Sequence, residues 1–132
     1  MFLVDTNIWL ERLLDQEKSN DVKVFLDKTP LENIYITDFT LHSIGVILEK
    51  LKKMELFIRF VKDLFEQGNL TLLSLHPRDM KYAAKAVSEY RLDFDDAYQY
   101  AVAEINALQL ISFDKDFDKT KRGRKQPDEV VN

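Results

Sequence analysis

A three-layer α/β/α fold on a mainly parallel, short-stranded sheet is what this sequence predicts, from three observations. Four short apolar runs recur along the chain, and between them lie segments with apolar residues every three or four positions. That alternation implies right-handed crossovers between parallel strands, with helices on both faces of the sheet. The first and fourth runs each end on a carboxylate, Asp5 and Asp114, where open α/β sheets bind ligands.

Phe2-Leu3-Val4 is the first strand. Thr6 and Asn7 are helix-capping residue types, and Ile8, Trp9, Leu13 and Leu14 follow at helical spacing, so the chain turns directly from strand into helix. Ser19-Asn20-Asp21 opens a second helix carrying Val22, Phe25 and Leu26, closed by Pro30. Ile34-Tyr35-Ile36-Thr37 is the second strand. Thr37 or Asp38 caps the next helix, with Leu41, Ile44, Leu48 and Leu51 on one face. Phe57, Phe60, Val61, Leu64 and Phe65 mark a further helix that stops at Gly68-Asn69. Residues 70–75 form the third strand, and His76-Pro77-Arg78-Asp79 opens a helix with Met80, Ala83, Ala84 and Val87 on one side. Phe94-Asp95-Asp96 starts another, whose Ala97, Ala101 and Ala103 allow close packing on a sheet, before the fourth strand over residues 110–113.

With 132 residues, 45% of them hydrophobic, the chain suits one domain with a filled core. Residues 1–118 carry the alternating pattern. Residues 119–132 read as an exposed, mobile basic tail, with Lys119, Lys121, Arg122, Arg124 and Lys125 around Gly123. The absence of cysteine excludes disulfides, thiolate metal sites and a cysteine nucleophile. No signal-like or membrane-spanning apolar segment is present, so the expected location is the cytoplasm. A net charge of −4 argues against a general phosphate-binding surface, leaving nucleic-acid contact to local basic groups or to metal ions.

Three separate segments deliver carboxylates to the same end of the predicted sheet: Asp5, Asp95-Asp96, and Asp114 with Asp116. Acids brought so close raise one another's pKa unless a cation neutralises them, and hard oxygen ligands select Mg²⁺ or Mn²⁺. The competing reading of Asp5, Asp96 and Asp114 is that each caps a helix. His42 and His76 lie outside the constellation, and Trp9, Tyr98 and Tyr100 fit core packing better than base stacking.

The stretches Phe2-Leu3-Val4-Asp5-Thr6-Asn7, Asp96-Ala97 and Ser112-Phe113-Asp114-Lys115-Asp116-Phe117 together resemble the PIN-domain nucleases, most of all the VapC-type toxins. The resemblance runs through essentially the whole chain in order and spacing. It implies a PIN-like parallel sheet wrapped by helices, Asp5, Asp96 and Asp114 as catalytic metal-binding acids, and Asp116 as an accessory acid. It also implies Mg²⁺ or Mn²⁺ as cofactor, RNA as substrate, an antitoxin protein as partner and a homodimer. The unusually apolar helix pair between Leu41 and Phe65 independently suggests an interface.

One position departs from that pattern. Ser43 stands where the family usually places a metal-site Glu, which puts the strength of the site in doubt. A hydroxyl can hydrogen-bond a metal-bound water but supplies no charge, and neither Asp38 nor Glu49 is a ready substitute. The expected activity is metal-dependent hydrolysis of RNA phosphodiesters. Thr6 and Asn7 would position a carboxylate or water, while Lys115, Arg122 and Arg124 would contact phosphates. Two alternatives remain: a weakened or inactive PIN-like binding scaffold, and a phosphatase with Asp5 as nucleophile, which the missing Asp-x-Asp disfavours.

Overall fold

The computed structural model describes residues 1–130. Its four strands are β1 (Phe2–Val4), β2 (Ile34–Thr37), β3 (Thr71–Leu73) and β4 (Gln109–Ile111). All pair in parallel, in the order β3-β2-β1-β4, with Leu3 opposite both Tyr35 and Leu110. Among the described residues, seven helices flank this sheet: α1 (Thr6–Leu13), α2 (Ser19–Lys28), α3 (Asp38–Lys50), α4 (Met54–Val61), α5 (Met80–Tyr90), α6 (Phe94–Ile105) and α7 (Pro127–Val130). The three-layer parallel architecture read from the sequence is the one observed.

Strand alternation divides the core in two. Leu3 and Leu110 face α5 and α6, joining Ala83, Ala97, Ala101 and Phe117, whereas Val4, Ile34, Ile36 and Ile111 face the other way onto Ile8, Phe25, Ile44 and Phe60. The chain winds outward from β1 through β2 to β3, then returns to place β4 on the opposite side of β1. The carboxyl ends of β1 and β4 thus flank the crevice where the winding reverses, the position at which such sheets accept ligands.

Several boundaries differ from expectation for local reasons. The strand expected over 70–75 pairs only at Thr71–Leu73, although Leu70 and Leu75 are buried on either side. Pairing in the fourth strand begins at Gln109 and ends at Ile111, before Ser112 and Phe113. The helix expected to run through Phe65 leaves α-geometry after Val61 and continues as a π-helical turn, Lys62–Glu66. Gly68 closes that turn at a point where a Cβ would lie 2.9 Å from the Asp63 and Leu64 carbonyl oxygens.

The basic tail is exposed at Lys119, Lys121, Arg122 and Lys125, as expected, but its backbone does not run free. Lys125 N–H donates to the Leu110 carbonyl at 2.9 Å and its carbonyl accepts from Ser112 N–H at 3.0 Å, so the returning chain pairs alongside the end of β4. Thr120 and Pro127 are buried, and α7 packs against α2. Arg124 clamps Asp118 through Nε at 3.0 Å and Nη2 at 3.1 Å and donates to the Ser112 carbonyl at 3.2 Å. Its side chain is only 9% exposed. The basic composition suggested a solvated arm, but backbone pairing and guanidinium hydrogen bonds hold much of it on the domain. Val131 and Asn132, the last residues of the expected tail, lie outside the described residues.

Candidate active site

Asp5 leaves β1 with its backbone N–H bonded to the Ile111 carbonyl at 2.9 Å, which ties the ends of β1 and β4 together. It caps α1 by accepting from Thr6 N–H at 2.8 Å. It is also buried, 5% exposed, and its carboxylate is heavily donated to: Gln99 Nε2 reaches Oδ1 at 2.9 Å and Ser112 Oγ reaches Oδ2 at 2.7 Å, with Asn7 Nδ2 farther from Oδ2 at 3.4 Å. The carboxylate that caps α1 is thus the one that also accepts from Gln99 and Ser112. Burial pushes the Asp5 carboxyl above its ordinary value, the charge of Asp114 adds to this, and the hydrogen bonds from Gln99, Ser112 and Thr6 oppose both.

Asp96 lies in the first turn of α6, but it is Asp93 that caps the helix, accepting from Asp96 N–H at 2.9 Å. The carboxylate of Asp96 is thereby left to face the sheet end. Asp114 caps the 3-10 turn Lys115–Lys119 through Asp116 N–H at 2.8 Å, and its own N–H is held by Ser112 Oγ at 3.0 Å. Carboxylate oxygens of Asp96, Asp114 and Asp116 all lie within 4.8 Å of one another. Asp96 is pushed up to about 8, first by burial, then by the charges of Asp114, Asp93 and Asp5 and by a carboxyl–carboxyl hydrogen bond with Asp114.

Of the predicted acids, Asp96 and Asp114 converge together with Asp116, while Asp5 stands beside them and acts on them through its charge. Two of the predicted accessory residues, Thr6 and Asn7, hydrogen-bond beside Asp5. Thr6 Oγ1 bonds Thr40 Oγ1 at 2.9 Å, and Asn7 bridges Ser112 Oγ at 3.2 Å and Phe113 N–H at 3.2 Å. Ser43 is partly buried on α3, three residues after Thr40. Asp38 is turned to Tyr98 Oη at 2.8 Å, and Glu49 is exposed at the far end of α3. Lys115 is exposed beside the acids, whereas Arg122 spends Nη2 on the Leu108 carbonyl at 3.0 Å and Arg124 is committed to Asp118. Trp9, Tyr98 and Tyr100 are buried, and His42 and His76 are exposed.

Three residues in this geometry were not singled out by sequence reasoning: Gln99, Ser112 and Asp93. Ser112 is fully buried and serves both Asp5 and Asp114, so its hydroxyl couples the two strand ends. A serine two residues before a strand-end acid carries a faint signal of this kind. The donor set is made only of carboxylates, with neither His nor Cys, and such a set fits a hard divalent cation such as Mg²⁺ or Mn²⁺.

The fold and this pocket define a class first: a doubly wound α/β domain carrying an acidic centre at the carboxyl end of its sheet. A family model for the PIN domain matches residues 2–123, and the chain belongs to the PIN-domain family. The match runs past residue 118, the expected end of the domain. Solved structures with the same fold include FitAB bound to an IR36 DNA fragment, with a TM-score of 0.84 and 21% identity over 100% of this chain and 99% of that one. A toxin–antitoxin complex from Klebsiella pneumoniae gives a TM-score of 0.77 and 21% identity, covering 96% and 98%. VapC20 of Mycobacterium tuberculosis, described as a sarcin-ricin loop cleaving toxin, gives 0.79 and 16%, covering 96% and 100%. No curated protein sequence matches the chain at the level used to accept a relative.

Proposed function

We propose that this protein is a divalent-metal-dependent ribonuclease and the toxin of a toxin–antitoxin pair. The observation that carries the reading is the convergence of carboxylate oxygens of Asp96, Asp114 and Asp116 within 4.8 Å of one another, where burial first and the neighbouring carboxyls next push Asp96 up to about 8. Asp96 and Asp114 would hold the ion together with Asp5, with Asp116 beside them. When bound, Mg²⁺ or Mn²⁺ supplies a Lewis acid that orients the scissile phosphate and lowers the pKa of an attacking water. Ser112 and Gln99 fix the Asp5 carboxylate and Ser112 holds the backbone of Asp114, so the acids would need little reorganisation. Lys115 is the cation best placed to meet a flanking phosphate, since the donors of Arg122 and Arg124 are turned into the protein.

Purified protein is expected to cleave RNA with Mg²⁺ or Mn²⁺ and to lose that activity in EDTA; undiminished cleavage in EDTA would overturn the proposal. Ser43 favours a second reading, a scaffold that binds without turnover. Mn²⁺ binding with no cleavage of any RNA offered would select it.

The toxin reading also rests on the fold shared with the Klebsiella toxin–antitoxin complex and with FitAB. Val46, Leu51, Met54 and Ile58 on and between α3 and α4 are exposed, Ile58 at 65%, which supports pairing of two chains through this surface. Light scattering is expected to give twice the chain mass, and Ile58→Glu to halve it. A wild-type monomer at all concentrations would remove the dimer.

A further inference from the structure

Gln99, one turn beyond Asp96 on α6, is 1% exposed, and its hydrogen bonds have a fixed direction. Thr40 N–H donates to Thr37 Oγ1 at 3.0 Å as the cap of α3, which frees the Thr37 hydroxyl proton for Gln99 Oε1 at 2.6 Å. With Oε1 accepting, Nε2 must face the other way. Its two protons go to Asp5 Oδ1 at 2.9 Å and Thr40 Oγ1 at 2.8 Å. A flipped amide would set Oε1 against the Asp5 carboxylate, so the chemistry of the partners decides the orientation.

The effect falls on Asp5. Each oxygen of a carboxylate offers about two lone-pair directions. Oδ1 has both filled, by Thr6 N–H at 2.8 Å and Gln99 Nε2 at 2.9 Å. Oδ2 accepts one short bond, from Ser112 Oγ at 2.7 Å, and only a long approach from Asn7 Nδ2 at 3.4 Å, which also reaches Ser112 Oγ at 3.2 Å. Oδ2 is also the oxygen on the β4 side, because the same Ser112 Oγ holds Asp114 N–H. Oδ1 faces Thr40 and α3, the helix on which Ser43 brings no charge.

We propose that Gln99 is a positioning residue that closes Asp5 Oδ1 and leaves Oδ2, on the side of Asp114, as the one oxygen of Asp5 that would meet a metal. This rests on the metal-site reading above. Asp5 would then offer a bound ion its oxygen on the β4 side, away from the helix that lacks an acid.

The test titrates Mn²⁺ into the full chain, reading free Mn²⁺ by electron paramagnetic resonance and melting temperature in parallel. Gln99→Met is expected to weaken Mn²⁺ binding about tenfold, the scale on which outer partners tune a ligand. In an Asp5→Asn background the same change should cost nothing further, because Gln99 acts through Asp5. A merely structural Gln99 would lower the melting temperature at unchanged affinity, or lose the full factor in both backgrounds, and either result overturns the proposal. Should Gln99→Met not fold, Thr37→Val and Thr37→Ser decide. Val releases the amide and should weaken Mn²⁺ binding, Ser keeps the hydroxyl and should preserve it, and equal affinities for the two overturn the proposal. Wild-type protein that takes up no Mn²⁺ refutes the metal site itself, whereas wild-type binding that Gln99→Met leaves unaltered refutes only the role of Gln99.

Discussion

Asp5 is buried and Asp96 half-buried at the same end of the sheet, yet Asp5 meets donors on both its oxygens whereas Asp96 meets other carboxyls. Burial raises the pKa of each, and what differs is the compensation. Around Asp5 the fold itself stabilises the anion, with a backbone N–H, a carboxamide and a buried hydroxyl. Around Asp96 the neighbours are the carboxyls of Asp93, Asp114 and Asp5, and its charge is offset by its own proton or by an added cation. A buried acid is thus not in itself a metal ligand, and the mark of a cation site is the charge that protein donors leave uncompensated.

The largest test of that contrast is activity. Asp96→Asn and Asp114→Asn should each lower Mn²⁺-dependent RNA cleavage by at least about 100-fold, since each deletes charge the ion must meet, while Asp116→Asn should cost roughly tenfold. Equal, small losses in single-turnover assays would dissolve the distinction between site and surround. Ser43→Glu restores an acid to α3 and should tighten Mn²⁺ binding by about tenfold in the same titration, at the expense of the metal-free protein.

A smaller effect concerns stability without metal. The folded-state pKa of Asp96, about 8, lies above the ordinary 3.8, so the native state retains a proton that the unfolded chain has released. Stability from this group is complete below about pH 4 and is lost as pH rises toward 8, beyond which the curve flattens. The raised Asp5 carboxyl pulls in the same direction. In EDTA, the melting temperature should therefore fall between pH 5 and pH 8, and Asp96→Asn should flatten the slope and raise the pH 8 value by roughly 2–6 °C. An unchanged slope in Asp96→Asn would show that the acids do not repel as their placement implies.

Much of this contrast was legible in the sequence. Asp5 and Asp114 announce themselves because a short apolar run ends on each, and runs apolar at successive positions belong to strands buried on both faces, as the two-part core shows. Gln99 does not, because its partners Asp5, Thr37 and Thr40 are 94, 62 and 59 residues away, and only the packing of α6 against the start of α3 makes it a donor. Nor could composition choose between Asp93 and Asp96 as the cap of α6. That choice depends on which residue takes the extended backbone, φ −69° and ψ 167° at Asp93, and it frees Asp96 for the site. The fastening of the tail was not legible because charge describes side chains, which are exposed at Lys119, Lys121, Arg122 and Lys125, whereas the contact at Lys125 is made by its backbone.

That fastening matters for how the protein behaves in a crowd. β4 is a border strand, and a border strand left bare is a template on which other chains can add. The stretch at Lys125 occupies the Leu110 carbonyl and the Ser112 N–H, and covers them with a lysine. A chain cut after Lys119 would keep every acid of the pocket but expose this border, and its first failure would be precipitation rather than loss of chemistry.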